Sequence, residues 1–196
     1  MKQKSQNRFL AALLAVAMML QMLPMLAFAE DAPGTGEYVA WIGDQGYTSL
    51  VDAVKAAKKG ETTTITLGEG SYTLYNIPST DTTKGKDLTF VGQGTDKTTW
   101  QIGPTVPNPA LFGTEYNSDY SFQGAGTVTF KNMKLCTGSK DYLGFTYIDN
   151  TVVDHCEIYG KTFYWGYTSA VFTDTTFYAP PSDYAIWTYC SPDHDI

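Results

Sequence analysis

The chain has 196 residues, 43% of them hydrophobic and 14% aromatic, with twenty acidic side chains against thirteen basic ones and a formal net charge of −7. That size and apolar content suit one domain with a sizeable core. An acidic chain with no basic stripe is repelled by phosphate, which excludes nucleic acid as a partner; Arg8 is its only arginine, so nothing beyond the amino terminus offers a bidentate guanidinium clamp.

Lys2, Lys4 and Arg8 precede an apolar run from Phe9 to Leu20, and Ala27-Phe28-Ala29 supplies the small-x-small pattern of a signal-peptidase site. Residues 1–29 therefore read as a secretory signal peptide, with an uncleaved signal anchor as the alternative. The apolar run is short for a bilayer span and gives way to Gln21 and Pro24. Cleavage predicts a secreted or cell-surface protein with no membrane span. It also takes away three basic residues and no acidic one, moving the formal charge from −7 to −10. Residues 30–36 form a Pro/Gly linker, and residues 37–196 form the remaining domain, expected to be incomplete at its carboxyl end.

Glu37 to Ile42 alternates as a strand and ends in the turn Gly43-Asp44-Gln45-Gly46. A short amphipathic helix follows, with Leu50, Val51, Val54 and Ala57 on one face. Ser49 and Asp52 resemble a capping box with a shortened acid. Lys58 and Lys59 place cations near the negative end of the helix, and Gly60 supplies a left-handed stop. Strands are predicted at Ile65 to Leu67 and Leu88 to Val91, separated by a turn from Gly68 to Thr73 and a polar loop from Ile77 to Lys86. A second long loop runs from Gly103 to Gly126.

The last third repeats. VTFKNMKL (128–135), TVVDHCEI (151–158) and AVFTDTTF (170–177) superpose, with Phe130, Val153 and Phe172 in one column, Met133, Cys156 and Thr175 in a second, and Leu135, Ile158 and Phe177 in a third. Successive copies are offset by 23 and 19 residues, which are solenoid periods. A second strand motif alternates with them: GFTY, TFYW and AIWTY. Stacking one copy on the next at roughly 4.8 Å turns each column into a ladder of like side chains, with Asn132, His155 and Asp174 lining the turns. The expected fold is thus all-β, a right-handed parallel β-helix with a short amino-terminal capping α-helix. A β-sandwich is the alternative, disfavoured because two-residue Asn-Gly and Asp-Gly hairpin turns are lacking.

The stretch YVAWIGDQGYTSLVDAVKAAKKGETTTITL, followed by GSYTL and LTFVGQGTDKTTW, resembles the amino-terminal cap and first coils of pectin-lyase-like right-handed β-helix proteins. In particular it is similar to the secreted or cell-wall-attached surface proteins of that kind from gut Firmicutes-type bacteria. DHCEIYGKTFYWGYTSAVFTDTTF also resembles the core coils of pectin methylesterases. The latter resemblance implies two catalytic aspartates and an arginine, and neither an acid in Gly160-Lys161-Thr162-Phe163-Tyr164-Trp165-Gly166 nor the arginine is present.

The expected function is accordingly a noncatalytic stalk or adhesin-like scaffold that binds glycans or a host or cell-wall surface. The alternative is a carbohydrate-active enzyme of the pectinesterase or polysaccharide lyase type, with carboxylates from Asp149, Asp154 or Asp174. Aromatic density singles out Tyr164, Trp165, Tyr167, Trp187 and Tyr189 as ligand-binding residues, with Tyr164 and Trp187 facing outward to stack on sugars. A ladder that only stiffens the fold accounts for the same rings. The acids carry no calcium motif, and no cofactor or metal is predicted. Cys136, Cys156 and Cys190 fit no zinc spacing and read as buried thiols, with a disulfide between neighbouring turns as the alternative. An open last coil predicts end-to-end self-association.

Overall fold

A computed structural model of the chain describes residues 38–74, 82–102, 118–119, 121–137, 142–146, 148–165, 167–179 and 184–189. The predicted signal peptide and linker, most of the 103–126 loop, Cys190 and the final residues lie outside the described residues.

The chain enters through an antiparallel pair, β1 (Ala40–Ile42) and β2 (Gln45–Tyr47). Helix α1 (Leu50–Ala56) follows. The next strands are β3 (Thr62–Leu67), β4 (Gly70–Tyr72), β5 (Asp87–Val91) and β6 (Thr98–Ile102). After the short β7 (Ser118–Asp119) come β8 (Thr127–Lys131), β9 (Lys134–Thr137) and β10 (Tyr142–Thr146). The next three are β11 (Asn150–Asp154), β12 (Glu157–Tyr159) and β13 (Lys161–Trp165). The last are β14 (Ser169–Thr173), β15 (Thr176–Tyr178) and β16 (Ile186–Tyr189).

These strands build three sheets: seven strands in the order β14-β11-β8-β5-β3-β1-β2, four in the order β16-β13-β10-β7, and five in the order β15-β12-β9-β6-β4. From β5 onward the described strands visit the sheets in rotation, so strands that pair there are separated by one strand of each of the other two sheets. The four- and five-stranded sheets are wholly parallel, whereas β1 pairs antiparallel with both β2 and β3.

The expected class, an all-β right-handed parallel β-helix, is therefore corrected to a mixed α/β structure. Two findings overturn it. The seven-stranded sheet mixes parallel and antiparallel pairing, and Leu50, Ala53, Val54 and Ala57 of the helical segment lie in the same buried cluster as the strand residues Ile65, Phe90, Phe130 and Val153. The helix is thus a constituent of the core and not an accessory to a strand-only body.

Register sets the core. Ile65, Phe90, Phe130, Val153 and Phe172 are successive partners in the seven-stranded sheet, and Tyr72, Trp100, Leu135, Ile158 and Phe177 are successive partners in the five-stranded sheet. Phe90, Trp100, Phe122 and Phe130 interlock with ring centroids 4.7–6.0 Å apart. Burial is complete at Phe130 and Val153 and only partial at Phe172 and Phe177, on the last strands. Val171, Tyr178, Tyr184 and Ile186 are exposed at that same edge.

Sheet and sheet are joined by a turn that recurs in three layers. Asn132, His155 and Asp174 each adopt a left-handed backbone, with φ of 52°, 52° and 46°. Asn, Asp and His tolerate that region better than most residues. One layer below, Gly92 has no alternative, because a Cβ there would lie 2.6 Å from the Asn132 carbonyl oxygen.

Ser49 caps α1 by accepting a hydrogen bond from the Asp52 amide, as the sequence predicts. The other end differs from expectation. Ala57 is already extended, and Gly60, although left-handed at φ 76°, lies beyond the last turn. The exposed Lys58 forms a pair with Glu61 instead. It is the buried Lys86 that reaches the helix end, donating to the carbonyls of Val54 at 2.7 Å and Lys55 at 3.2 Å. Burial, then the charge of Lys59, pulls the Lys86 ammonium below its ordinary value. Replacing it with an apolar residue removes both bonds and leaves the buried Val54 carbonyl with the Ala57 amide at 3.3 Å, so Lys86→Met is expected to lower the unfolding free energy by about 1–3 kcal/mol in chemical denaturation.

Candidate functional site

Period-two alternation puts every second residue of β9, β12 and β15 outside. Two neighbouring features result, a stack of rings on the five-stranded sheet and a charged column at the left-handed turn beside it.

Tyr159 and Tyr178 are register partners whose rings stack 4.4 Å apart at an interplanar angle of 13°. Lys134 lies over the Tyr159 ring at 5.1 Å. Two residues back along β12, Glu157 accepts the Tyr159 hydroxyl hydrogen bond at 2.9 Å. That bond, with burial and the carboxylate charge behind it, pushes the Tyr159 phenol up to about 12. Earlier in the same column Cys136, the register partner of both Tyr159 and Gln101, donates to Gln101 at 3.3 Å, and burial raises its thiol. Cys156 is buried and unbridged, its thiol pushed up to about 11 by burial. A thiol so protonated is a poor nucleophile at neutral pH.

At the turn, Asp154 is held on both oxygens. Oδ1 lies 2.6 Å from His155 Nδ1, and Oδ2 lies 3.0 Å from Lys131 Nζ. The hydrogen bond to His155, followed by that to Lys131, keeps the Asp154 carboxyl below the usual carboxylate range. The far nitrogen of the same ring, His155 Nε2, stands 3.6 Å from Oδ2 of Asp174, one layer on. Ligand atoms of Asp154, His155 and Asp174 lie within 4.8 Å of one another, and this trio is the metal-capable cluster among the described residues.

The aromatic residues singled out from sequence fare differently. Tyr164 is corrected: it is fully buried, packed edge-on against Phe172 and Tyr167 at 5.8 and 6.0 Å, and faces the core. Tyr167 is half-buried against that core. Register pairs Trp165 with Tyr189 and Phe163 with Trp187 along the backbone, and the side chains of Trp165, Trp187 and Tyr189 lie outside the description. Of the catalytic candidates, Asp154 and Asp174 converge on His155. Asp149 is exposed, with its backbone carbonyl accepting from Thr168 and Ser169.

The Tyr159–Tyr178 stack escaped the sequence reading because Tyr178 falls outside the aromatic-rich TFYW motif. Its signal was the alignment of EIY with TFY in the repeat. The Asp-His-Asp cluster has no local motif, because two of its members are adjacent and the third comes 19 positions after His155.

Comparison with family models, with curated proteins and with solved structures gives no match.

The Tyr159 hydroxyl donates to a carboxylate that would repel the phenolate. Its folded value lies above the ordinary one, so this contribution to stability is full below about pH 10 and is lost as pH rises through about 12. Titrating the Tyr159 ring resonance by NMR should give a midpoint near 12 in the parent and a lower one in Glu157→Gln.

Proposed function

We propose that the chain is an exported, noncatalytic scaffold of a cell surface. The observation that carries this reading is the commitment of Asp154, the central catalytic candidate, to His155 on one oxygen and Lys131 on the other. A pair of carboxylates doing general acid and base work needs one member held protonated near neutral pH and one ionised. Asp154 is pulled the opposite way from a general acid. Other described carboxylates are engaged in the fold as well: Asp87 accepts from the Thr127 amide at 2.6 Å, and Glu69 pairs with Lys97 at 3.0 Å.

The leader-like residues 1–29 support export. No helix among the described residues is long and apolar enough to cross a membrane, and the expected role needs none.

Glycan binding remains part of the proposal, relocated by one observation: Tyr178 is exposed at 46%, whereas Tyr164 is fully buried. A ring stacked face to face with its neighbour presents mainly its edge, so a sugar would pack on the outer face of Tyr178 at the end of the stack.

The protein is expected to release neither methanol nor unsaturated or reducing products from pectin and polygalacturonate. Turnover that disappears in Asp154→Asn would overturn the noncatalytic reading. On a glycan array, any binding should fall at least tenfold in Tyr178→Ala and stay unchanged in Trp41→Ala on the far sheet strand.

A further inference from the structure

The charged column at the turn has a geometry that ion pairing leaves unexplained. An aspartate carboxylate bonded to a lysine can only accept, so the 2.6 Å contact between Asp154 Oδ1 and His155 Nδ1 requires the imidazole proton to sit on Nδ1. In the neutral ring the lone pair then lies on Nε2, which faces Asp174. The separation there, 3.6 Å, is too long for a hydrogen bond. It is close to the distance between a nitrogen and an oxygen that share one ion at bond lengths of about 2.0–2.1 Å, at an angle of roughly 120°, somewhat wider than tetrahedral.

We propose that His155 Nε2 and the Asp174 carboxylate form a surface site for a divalent transition cation of the zinc class, with Asp154 behind the imidazole as its orienting carboxylate. Water completes the coordination. The order carboxylate, imidazole, ion is the arrangement by which proteins fix the tautomer of a metal-binding histidine and raise its basicity. Lys131, the register partner of Asp154 on the preceding strand, pairs with its other oxygen and so neutralises the orienting group. An imidazole donor selects zinc, copper, nickel or cobalt over magnesium and calcium.

The backbone presents the two ligands in line. His155 and Asp174 occupy the same left-handed turn position in consecutive layers, and the His155 amide donates to the Thr173 carbonyl at 3.0 Å, which fixes one layer against the next. Both side chains are exposed, at 60% and 68%, so an ion reaches them directly.

The test is a zinc titration of the whole protein by isothermal calorimetry, with calcium as the control ion. His155→Asn and Asp174→Asn are the informative variants, because asparagine tolerates a positive φ and already occupies the equivalent turn at position 132. One zinc is expected per chain, with at least a tenfold loss of affinity in each variant. Asp154→Asn should bind roughly tenfold more weakly, as loss of an orienting carboxylate does. Calcium should give no heat, and zinc should perturb the His155 ring resonances in NMR. Absence of zinc uptake by the parent, or uptake that survives both ligand substitutions, overturns the site and leaves His155 as a bridge between two aspartates.

Discussion

Parallel pairing in strict register is the constraint on which the rest of this structure depends. Each residue on a strand has its counterpart directly above and below at roughly 4.8 Å, so its side chain must accept that counterpart as a permanent neighbour. Inside, the rule selects apolar columns such as Ile65, Phe90, Phe130, Val153 and Phe172. Outside, the same rule would set like charge against like charge if residues simply repeated. Here neighbouring charges are opposite: Lys131 pairs with Asp154, and Lys134 is in register with Glu157. Uncharged side chains can repeat like on like, as Thr64, Thr89 and Thr129 do along one column and the rings of Tyr159 and Tyr178 do in another.

The amino-terminal end obeys a different requirement. A stack of strands has an edge and an open core at each end, and the first layer here is finished by the antiparallel β1–β2 pair and by α1. A seven-residue helix is too short to stand alone and draws its stability from the apolar face it buries. Its carboxyl end is buried on one side, at Val54 and Ala57, and exposed on the other, at Lys55 and Ala56. Lys86, arriving just before β5, satisfies two of the helix's last carbonyls. The mixed class of the fold follows from this end: the helix shares the strands' core, and the pairing direction reverses where the chain enters.

The columns of the last third were legible in the sequence because their apolar members repeat at matched offsets. The structure has Phe130, Val153 and Phe172 as register partners, and likewise Leu135, Ile158 and Phe177. The left-handed turn at Asn132, His155 and Asp174 was legible as a polar column, though not as a backbone conformation. What failed was the phase of β13. KTFYW offers aromatic residues at successive positions, so alternation alone leaves both phases open. The structure turns Thr162 and Tyr164 inward, where both are buried, and a threonine in the inward set leaves no apolar period for a sequence reading to follow. The role of Lys86 was not legible for another reason: its partners are backbone carbonyls some 30 residues earlier, and a backbone acceptor leaves no trace in side-chain patterning.

Stacking also limits where chemistry can arise. Two carboxylates acquire different proton affinities only in different surroundings, and a column gives its members nearly the same surroundings layer after layer. Departures from sameness occur where the layers change. One such place is the turn, where residue identity shifts from Asn132 to His155 to Asp174 while the backbone repeats. The other is the last layer, where Val171, Tyr178 and Ile186 emerge from columns or faces that are more covered below. The asymmetry His155 needs, with a carboxylate bonded to one ring nitrogen and a second one set back from the other, arises because the two acids belong to different layers. A fold that equalises neighbours within a layer thus creates directional chemistry only between layers.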